Sequence, residues 1–403
     1  MNDAQPFLSI LGIGEDGIAG LSPRARDMLA NATLVIGGHR HLALADPIIR
    51  CERLPWPTPM DDAIPLLLAR RPRPVAVLAS GDPFCFGAGP MLTRAISDFV
   101  CLPAPSSLSL ACARLGWALQ DAAPISFCGR PIEKLRPLLH PGARILALSA
   151  DETTPGAVAA FLCRHGFGAS RITVLEALGG PNERIRPSQA HSFALSRIHR
   201  LNLLAIEPEA APGTPLITSA GALPDALFNN DGQLTKREIR AVTLAALAPA
   251  PGTLLWDIGS GSGSIAIEWL LRHPANQAIA VERHAERAAR ALGNAATLGV
   301  PNLRMIRAEA PACLGDLPAP DAIFIGGGAT HPGMIDTAWA ALRPGGRLVI
   351  NAVTIETQAV LFAAVAGLAG TLTRLGVERM DAVGHLHGFR PAMTVTQLAA
   401  IKP

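Results

Sequence analysis

Short runs of apolar residues recur along the chain and alternate with segments in which apolar residues return every three or four positions. The runs indicate buried strands, and the wider spacing indicates amphipathic helices. In the first half, strands are predicted at 8–13, 34–37, 75–79, 145–149, 172–175 and 201–206. Prolines at 103 and 105 interrupt this α/β series, which predicts two lobes with a cleft.

The second half alternates strands and helices more regularly. Strands are predicted at 254–258, 278–282, 303–308, 322–325 and 347–352, and helices at 235–247, from 264, at 285–298 and at 334–342. Strands that alternate with helices form a mostly parallel sheet covered on both faces. The pattern therefore predicts a Rossmann-like, doubly wound domain with a helical lead-in.

A proline-rich segment separates the two halves. Residues 207–215 include three prolines, which can continue neither a helix nor a central strand. We predict a first domain over 1–208, a linker over 209–215 and a second domain over 216–403. The two halves do not resemble each other, so we expect two different α/β folds in one chain.

Composition narrows the classes of function. Hydrophobic residues make up 49% of the 403 and charged residues 17%, which excludes disorder by composition. A net charge of +3 is too small for strong phosphate-driven binding to nucleic acid. No apolar stretch reaches the roughly 20 residues that span a bilayer, and the first residues lack the basic segment of a signal peptide. We therefore expect a cytoplasmic protein.

Cysteines and histidines give little support for a metal. The seven cysteines include no Cys-x-x-Cys pair and are odd in number, which predicts reduced, mostly buried thiols. His39 and His41, like His385 and His387, are two positions apart and could point the same way on a strand. Neither pair has further ligands nearby in the sequence, so we expect no metal.

A glycine-rich turn follows the first strand of the second half. It consists of Gly259, Ser260, Gly261, Ser262 and Gly263. Alternate glycines between a strand and a helix allow a ligand to approach the backbone closely. A nucleoside site, a dinucleotide site and a plain tight turn all use such glycines. The third glycine arrives one residue early for a pyrophosphate site, which favours S-adenosylmethionine.

Two later strand ends support a nucleoside site. Glu282 ends the next strand, where a carboxylate can accept hydrogen bonds from both hydroxyls of a ribose. Glu309 and Ala310 close the third strand, where an adenine edge is usually met. Three strand ends are therefore expected to converge on one ligand.

Several motifs of the second half carry a specific likeness. Besides the glycine turn they are Leu-Pro-Asp-Ala-Leu-Phe at 223–228, Thr-Lys-Arg-Glu at 235–238 and Ile-Gly-Gly-Gly at 325–328. Residues 216–403 resemble the class I methyltransferases, and among them the corrin C15-methyltransferases that also decarboxylate. The resemblance implies an S-adenosylmethionine site that includes Thr235, the turn, Glu282, Glu309 and Ala310.

Four basic residues are candidates for holding the substrate. Lys236 and Arg240 are four residues apart on one predicted helical face, where a solvated helix start is the alternative interpretation. Arg237 and His331 lie within or near the same motifs. We expect binding roles for these residues because a corrin precursor carries many carboxylates, which basic side chains recognise.

The first half has its own turn after a predicted strand. Residues 80–87 read Ser-Gly-Asp-Pro-Phe-Cys-Phe-Gly, which taken alone is a tight turn capped by Asp82. Further motifs are Leu-Gly-Ile-Gly-Glu-Asp-Gly at 11–17, Gly-Gly-His-Arg-His-Leu at 37–42 and Pro-Ser-Ser at 105–107. Together they resemble the tetrapyrrole methylases, most closely the corrin C5-methyltransferase branch. Glu-Asp-Gly at 15–17 replaces the Pro-Gly-Asp of the general family, and Cys85 stands where an aromatic residue is expected.

The resemblance of the first half implies a second S-adenosylmethionine site, between two lobes. The residues it assigns to that site are Gly81, Asp82, Pro83, Phe86, Ser106 and Ser107.

Taken together, the two halves resemble the decarboxylating corrin C5,15-methyltransferases of cobalamin biosynthesis. The resemblance implies an enzyme that uses two S-adenosylmethionine, methylates C5 and C15 of precorrin-6B and removes the ring-C acetate to give precorrin-8. Its partner would be the corrin precursor, with no nucleic acid and no membrane, and we expect a homo-oligomer. One alternative is a nucleic-acid or protein methyltransferase, which the absence of tyrosine, and so of an aromatic target-base motif, argues against. The other is a non-catalytic S-adenosylmethionine or corrinoid sensor, which the intact turns argue against.

Overall fold

The computed structural model describes residues 6–403. In the first half the strands are β1 Leu8–Ile13, β2 Leu34–Gly37, β3 Glu52–Pro55, β4 Val75–Ser80, β5 Phe99–Leu102, β6 Ala122–Ser126, β7 Arg144–Leu148, β8 Arg171–Glu176, β9 Arg184–Gln189 and β10 Asn202–Glu207. The helices there are α1 Pro23–Asn31, α2 His39–Ala45, α3 Ala63–Leu68, α4 Gly89–Ala95, α5 Ser107–Leu115 and α6 Thr154–Arg164.

In the second half the strands are β11 Leu254–Ile258, β12 Gln277–Val281, β13 Arg304–Ile306, β14 Ala322–Ile325, β15 Arg347–Ala352, β16 Thr371–Leu375, β17 Glu378–Val383, β18 Leu386–Pro391 and β19 Val395–Ile401. The helices are α7 Arg237–Leu247, α8 Ser264–Arg272, α9 Ala285–Thr297, α10 Met334–Ala341 and α11 Ile355–Ala364.

The described residues form two compact units. The first contains the residues up to 132 together with 140–214, and the second contains 133–139 and 215–403. The proline-rich segment is held by the first unit, since the Ala211 N–H donates to the Gly166 carbonyl at 2.8 Å. Residue 215 is where the chain passes from the first compact unit to the second, and the linker over 209–215 stays a prediction.

The first unit is built on two sheets. One is fully parallel, with strand order β3-β2-β4-β1-β5, and its central strands β1 and β4 are almost entirely buried. The other has the order β6-β7-β10-β8-β9 and is mostly antiparallel. Because parallel strands end at the same edge, the loops after β1, β2 and β4 meet at one side of the first sheet.

The second unit has one seven-stranded sheet with the order β13-β12-β11-β14-β15-β19-β16. The strands from β13 to β15 are parallel, and β19 runs antiparallel to both of its neighbours. Apolar side chains of α7, α8 and α9 pack on one face, and those of α10 and α11 pack on the other. The strand order reverses between β11 and β14, which is where open α/β sheets bind ligands.

Some expected absences concern the whole described chain. No helix within residues 6–403 is long and apolar enough to cross a membrane. Over the same residues, no three His, Cys, Asp or Glu side chains are grouped so that they could hold a metal ion. All seven cysteines are free, but the expectation of mostly buried thiols is wrong, because only Cys112 is buried, four others are partly buried, and Cys128 and Cys163 are exposed. Cys163 lies on the solvent face of α6, and Cys128 follows the end of β6.

A fully buried ion pair attaches the lead-in segment to the second sheet. Arg240 on α7 and Glu268 on α8 have 0% exposed side chains, and Arg240 Nε donates to Glu268 Oε1 at 2.5 Å. Arg240 Nη1 also donates to Asp225 Oδ1 at 3.1 Å. Glu268 accepts the backbone N–H groups of Ala222 and Leu223 at 2.6 and 2.9 Å. These additional hydrogen bonds are the condition under which a buried ion pair is tolerated.

We predict that Arg240→Met lowers the free energy of unfolding of the second unit by about 3 to 5 kcal/mol, because it leaves the Glu268 carboxylate buried without its partner. Urea unfolding followed by tryptophan fluorescence measures this through the buried Trp256 and Trp269. The exposed neighbour provides the control, and Arg237→Met should change the same quantity by less than about 0.5 kcal/mol. Equal stability of the two variants would contradict the prediction.

Candidate active sites

A cavity of about 970 Å³ opens at the carboxyl edge of the sheet in the second unit. The loops after β11, β12, β13 and β14 all contribute to its wall, and so does the segment that leads into α7. The site therefore lies at the reversal of strand order that the doubly wound pattern predicts.

The glycine turn after β11 is shaped by close backbone packing. Gly259 has a φ of 70°, and a Cβ at this position would lie 3.1 Å from the backbone nitrogen of Gly327. Gly263 has a φ of 77° and precedes α8, and its Cβ would lie 3.0 Å from Ala291 Cβ. Both positions require glycine, because other residues adopt this φ only with strain and would collide with their neighbours.

Glu282 lies in the wall of this cavity beside the glycine turn. Its side chain is 5% exposed. The Gly261 N–H donates to Glu282 Oε2 at 3.0 Å, and the His284 N–H donates to Glu282 Oε1 at 2.9 Å. These bonds fix the carboxylate, and each oxygen retains a further lone pair for a ligand hydroxyl.

Asp257 is a buried acid at the base of the turn that the sequence analysis did not single out. It is 1% exposed, and its Oδ2 accepts the Ala266 N–H at 3.0 Å. Its Oδ1 has no hydrogen-bond partner in the part of the chain that the structure describes. Burial, together with the charge of Glu282, raises the pKa of Asp257 to about 7. The sequence feature that could have identified Asp257 is a single acidic residue inside an otherwise apolar strand.

The structure brings most of the proposed nucleoside residues of the second half together. Thr235, Gly259, Ser260, Gly261, Ser262, Glu282, Glu309 and Ala310 all line the cavity. Gly263 is set back from the wall, at the start of α8. A glycine cradle and a fixed acid in the wall of one cavity fit S-adenosylmethionine.

The four basic candidates separate into two pairs. Lys236 and His331 line the cavity. Arg240 does not line the cavity. Its expected substrate-binding role is therefore corrected, because its guanidinium group is engaged in the buried ion pair with Glu268. Arg237 is exposed outside the cavity wall, so it too is not positioned to bind substrate there.

Other basic residues at this cavity were missed from the sequence. They are Arg283, His284, Arg287 and Arg379. Each of the three arginines is paired with a carboxylate of the chain: Arg283 with Glu309 at 3.2 Å, Arg287 with Asp231 at 2.8 Å, and Arg379 with Glu238. By contrast, the side-chain ammonium group of Lys236 has no ion-pair or hydrogen-bond partner among residues 6–403.

The first unit contains a separate cavity of about 370 Å³. Gly81, Phe86, Ser106 and Ser107 line it. Gly81 has a φ of 52°, and a Cβ there would lie 2.8 Å from the Pro105 carbonyl oxygen, so the turn after β4 packs directly on the segment before α5.

Asp82 and Pro83 shape that turn without lining the cavity. Asp82 Oδ1 accepts the Phe84 N–H at 2.8 Å, which is an Asx-turn hydrogen bond. Pro83 is buried beneath the turn. In this structure their contribution to the site is therefore the conformation of the backbone beside Gly81.

Comparison with known proteins defines the class. Residues 8–194 match the family of tetrapyrrole (corrin/porphyrin) methylases, and residues 226–402 match the precorrin methyltransferase domain. The chain is thus a methyltransferase that combines two catalytic domain types, which confirms the predicted fold class and enzyme class.

Similar curated proteins make the assignment more specific. The chain is 52% identical over 394 residues to the precorrin-6Y C(5,15)-methyltransferase [decarboxylating] of Sinorhizobium sp, with 97% of this chain and 95% of that protein covered. It is 40% identical over 405 residues to the protein of the same name from Mycobacterium tuberculosis, covering 98% and 100%. A third relative, 33% identical over 180 residues, is the cobalt-precorrin-6B C(15)-methyltransferase (decarboxylating) of Salmonella typhimurium, covering 42% and 89%. The chain belongs to the family of decarboxylating precorrin-6Y C5,15-methyltransferases, whose members use S-adenosylmethionine.

The raised pKa of Asp257 makes the stability of the ligand-free second unit depend on pH. The folded state holds a proton that the unfolded state, with an ordinary pKa of 3.8, releases first. This stabilisation is complete below about pH 4 and is lost as the pH rises through about 7.

We predict that Asp257→Asn removes this decline, as measured by urea midpoints from tryptophan fluorescence across the same pH window. The matched control is Asp336→Asn, which changes an exposed acid on α10 and should keep the decline of the wild type. A decline in Asp257→Asn as large as in the wild type would show that another group causes it.

Proposed function

We propose that the two cavities carry out different methyl transfers on one corrin substrate. The second unit methylates C15 of precorrin-6B and removes the ring-C acetate as carbon dioxide, and the first unit methylates C5, giving precorrin-8. Each unit binds one S-adenosylmethionine, and we expect the chain to form a homo-oligomer. The observation that carries this proposal is the presence of two cavities, each beside its own glycine turn, in two units of different architecture.

The relatives support this division of labour. The proteins from Sinorhizobium and Mycobacterium carry both methylations in their names and match nearly the whole chain. The Salmonella protein carries only the C15 reaction and decarboxylation in its name, and it matches 42% of the chain. A chain segment the size of one unit is therefore enough for the C15 reaction.

Methyl transfer to a meso carbon makes modest demands on the protein. S-adenosylmethionine supplies the methyl group as an electrophilic sulfonium. The protein must align the donor with the electron-rich carbon and exclude water, and no covalent nucleophile is needed. In the second unit, Glu282 and the glycine turn hold the nucleoside end, while apolar Ile239, Phe324 and Met334 line the same cavity.

Decarboxylation requires that the acetate be held and that a proton reach the ring. Lys236 fits the first task because the residue lines the cavity and its ammonium group has no carboxylate partner in the described chain. His331 fits the second, because its Nδ1 lies 3.1 Å from the Pro332 carbonyl oxygen, which can only accept. Nδ1 therefore donates to this oxygen, which leaves Nε2 as the ring nitrogen that can exchange a proton.

We predict that Glu282→Ala stops C15 methylation and carbon dioxide release at limiting S-adenosylmethionine, while C5 methylation continues. Two charge-assisted hydrogen bonds to the ribose, each contributing about 1.5 to 3 kcal/mol, correspond to a loss of affinity of about 10² to 10⁴-fold. Mass spectrometry of the corrin products and trapped carbon dioxide measure both reactions. Glu286→Ala, at an exposed acid on α9, is the control that should leave both unchanged. Intact C15 methylation in Glu282→Ala would contradict the assignment.

The complementary prediction concerns the first unit. Asp82→Ala frees the Phe84 N–H, loosens the turn beside Gly81 and should abolish C5 methylation. A decarboxylated product with one added methyl group should then accumulate, as seen by mass spectrometry. Asp27→Ala, at an exposed acid on α1, should behave as the wild type. Loss of carbon dioxide release in Asp82→Ala would mean that the two reactions are not divided between the units as proposed.

A further inference from the structure

Four polar side chains meet at the cavity of the first unit, and we refer to them as the Ser80 cluster: Glu15, Arg40, His41 and Ser80. Ser80 ends β4, Arg40 and His41 lie in the first turn of α2, and Glu15 follows β1. All four line the cavity together with Gly81 of the cofactor turn. The cluster therefore shares one cavity with the turn that is proposed to hold the cofactor.

The hydrogen bonds of the Ser80 cluster define its protonation. Arg40 Nη2 donates to Ser80 Oγ at 2.8 Å and lies 2.8 Å from His41 Nε2, while His41 Nε2 lies 2.7 Å from Ser80 Oγ. A guanidinium group can only donate, so the imidazole nitrogen that faces it carries the lone pair. His41 Nε2 is therefore an unprotonated base in contact with the Ser80 hydroxyl.

Burial and a neighbouring positive charge keep the His41 ring neutral. Arg40 lies beside it on the same helix, and Glu15 from the loop after β1 forms an ion pair with Arg40. Burial and the charge of Arg40 lower the pKa of His41 to about 4, so the ring carries no proton on Nε2 at neutral pH.

C5 methylation needs a proton acceptor, since a methyl group replaces a hydrogen. The π-electron pair of C5 forms the new C–C bond, and the S–CH₃ bond breaks with its electrons remaining on sulfur. The C5–H bond then breaks, its electron pair restores the ring double bond, and the proton leaves to a base. A hydrogen on a carbon next to a delocalised cation is acidic, so a weak base is sufficient.

We propose that Ser80 and His41 accept this proton. Ser80 Oγ takes the proton from C5 while its own proton passes to His41 Nε2. Arg40, which is paired with Glu15, holds the Ser80 and His41 side chains in contact. Ser80 is the catalytic residue in this step, and the other three position it or act through it. The inference rests on the proposed assignment of C5 methylation to the first unit.

The first test is His41→Gln in the full chain, which keeps a polar side chain but removes the imidazole base. We expect the rate of C5 methylation to fall by about 10² to 10⁴-fold, the range for loss of general base catalysis. C15 methylation, carbon dioxide release and the affinity of the first unit for S-adenosylhomocysteine should stay at wild-type values. The matched control is His39→Gln, because His39 is exposed and does not line the cavity.

The second test separates proton transfer from a structural role. Added imidazole should restore C5 methylation in His41→Ala, and the restored rate should rise with the neutral fraction of imidazole as the pH increases. Ser80→Ala should lose C5 methylation without rescue, while cofactor affinity is retained. A wild-type C5 rate in His41→Gln, a loss of cofactor binding in that variant, or failure of imidazole rescue would each overturn the proposal.

Asp82→Ala, measured in parallel, distinguishes this inference from the proposed function. If Asp82→Ala leaves C5 methylation intact, the assignment of the reaction to the first unit fails. If Asp82→Ala abolishes C5 methylation but His41→Gln does not reduce it, only the role of the Ser80 cluster fails.

Discussion

Close backbone packing at the carboxyl ends of parallel strands is the constraint on which both cavities depend. In the first unit, a Cβ at Gly12 would lie 2.0 Å from the Gly81 carbonyl oxygen, so the ends of β1 and β4 can approach only without a side chain there. In the second unit, Gly259 after β11 packs against Gly327 after β14 in the same way. Both units therefore bring loop backbone together at one edge of a sheet, and the polar groups of each cavity are carried on those loops.

Some charged side chains of the chain are paired with other residues of the protein and stabilise the fold, whereas others have no such partner and can bind a ligand. Arg240 is consumed by Glu268, and removing either would leave a buried charge uncompensated. The cavity arginines are balanced by carboxylates of the chain, whereas Lys236 presents its charge without one in the described residues. In the first unit, Arg40 is paired with Glu15, and burial together with the charge of Arg40 lowers the pKa of His41.

Much of the fold follows from local sequence. Strands such as β1 and β14 were predicted with their observed bounds because they are buried at every position and read as continuous apolar runs. The hairpin of β17 and β18 was missed, since nearly all of its residues are exposed and no apolar run marks it. The hairpin nevertheless contributes to the site, because Arg379 on β17 lines the cavity of the second unit.

In the candidate site, too, only features that depend on local sequence could be predicted. Glu282 was predicted because an acid at a strand end, a fixed distance after a glycine turn, is a local pattern. The structural role of Arg240 could not be predicted, because its partners Glu268 and Asp225 are distant in sequence and approach it only in the folded chain. The contact between His41 and Ser80 likewise connects α2 with the end of β4, and the spacing of residues within either motif does not predict it.

The central claim is that one chain carries two independent cofactor sites of different construction. Calorimetric titration of the intact protein with S-adenosylhomocysteine, without corrin, tests it most directly. The account predicts two sites per chain with different affinities, because one is formed by a glycine turn with Glu282 and the other by the turn at Gly81. A single site per chain would contradict it.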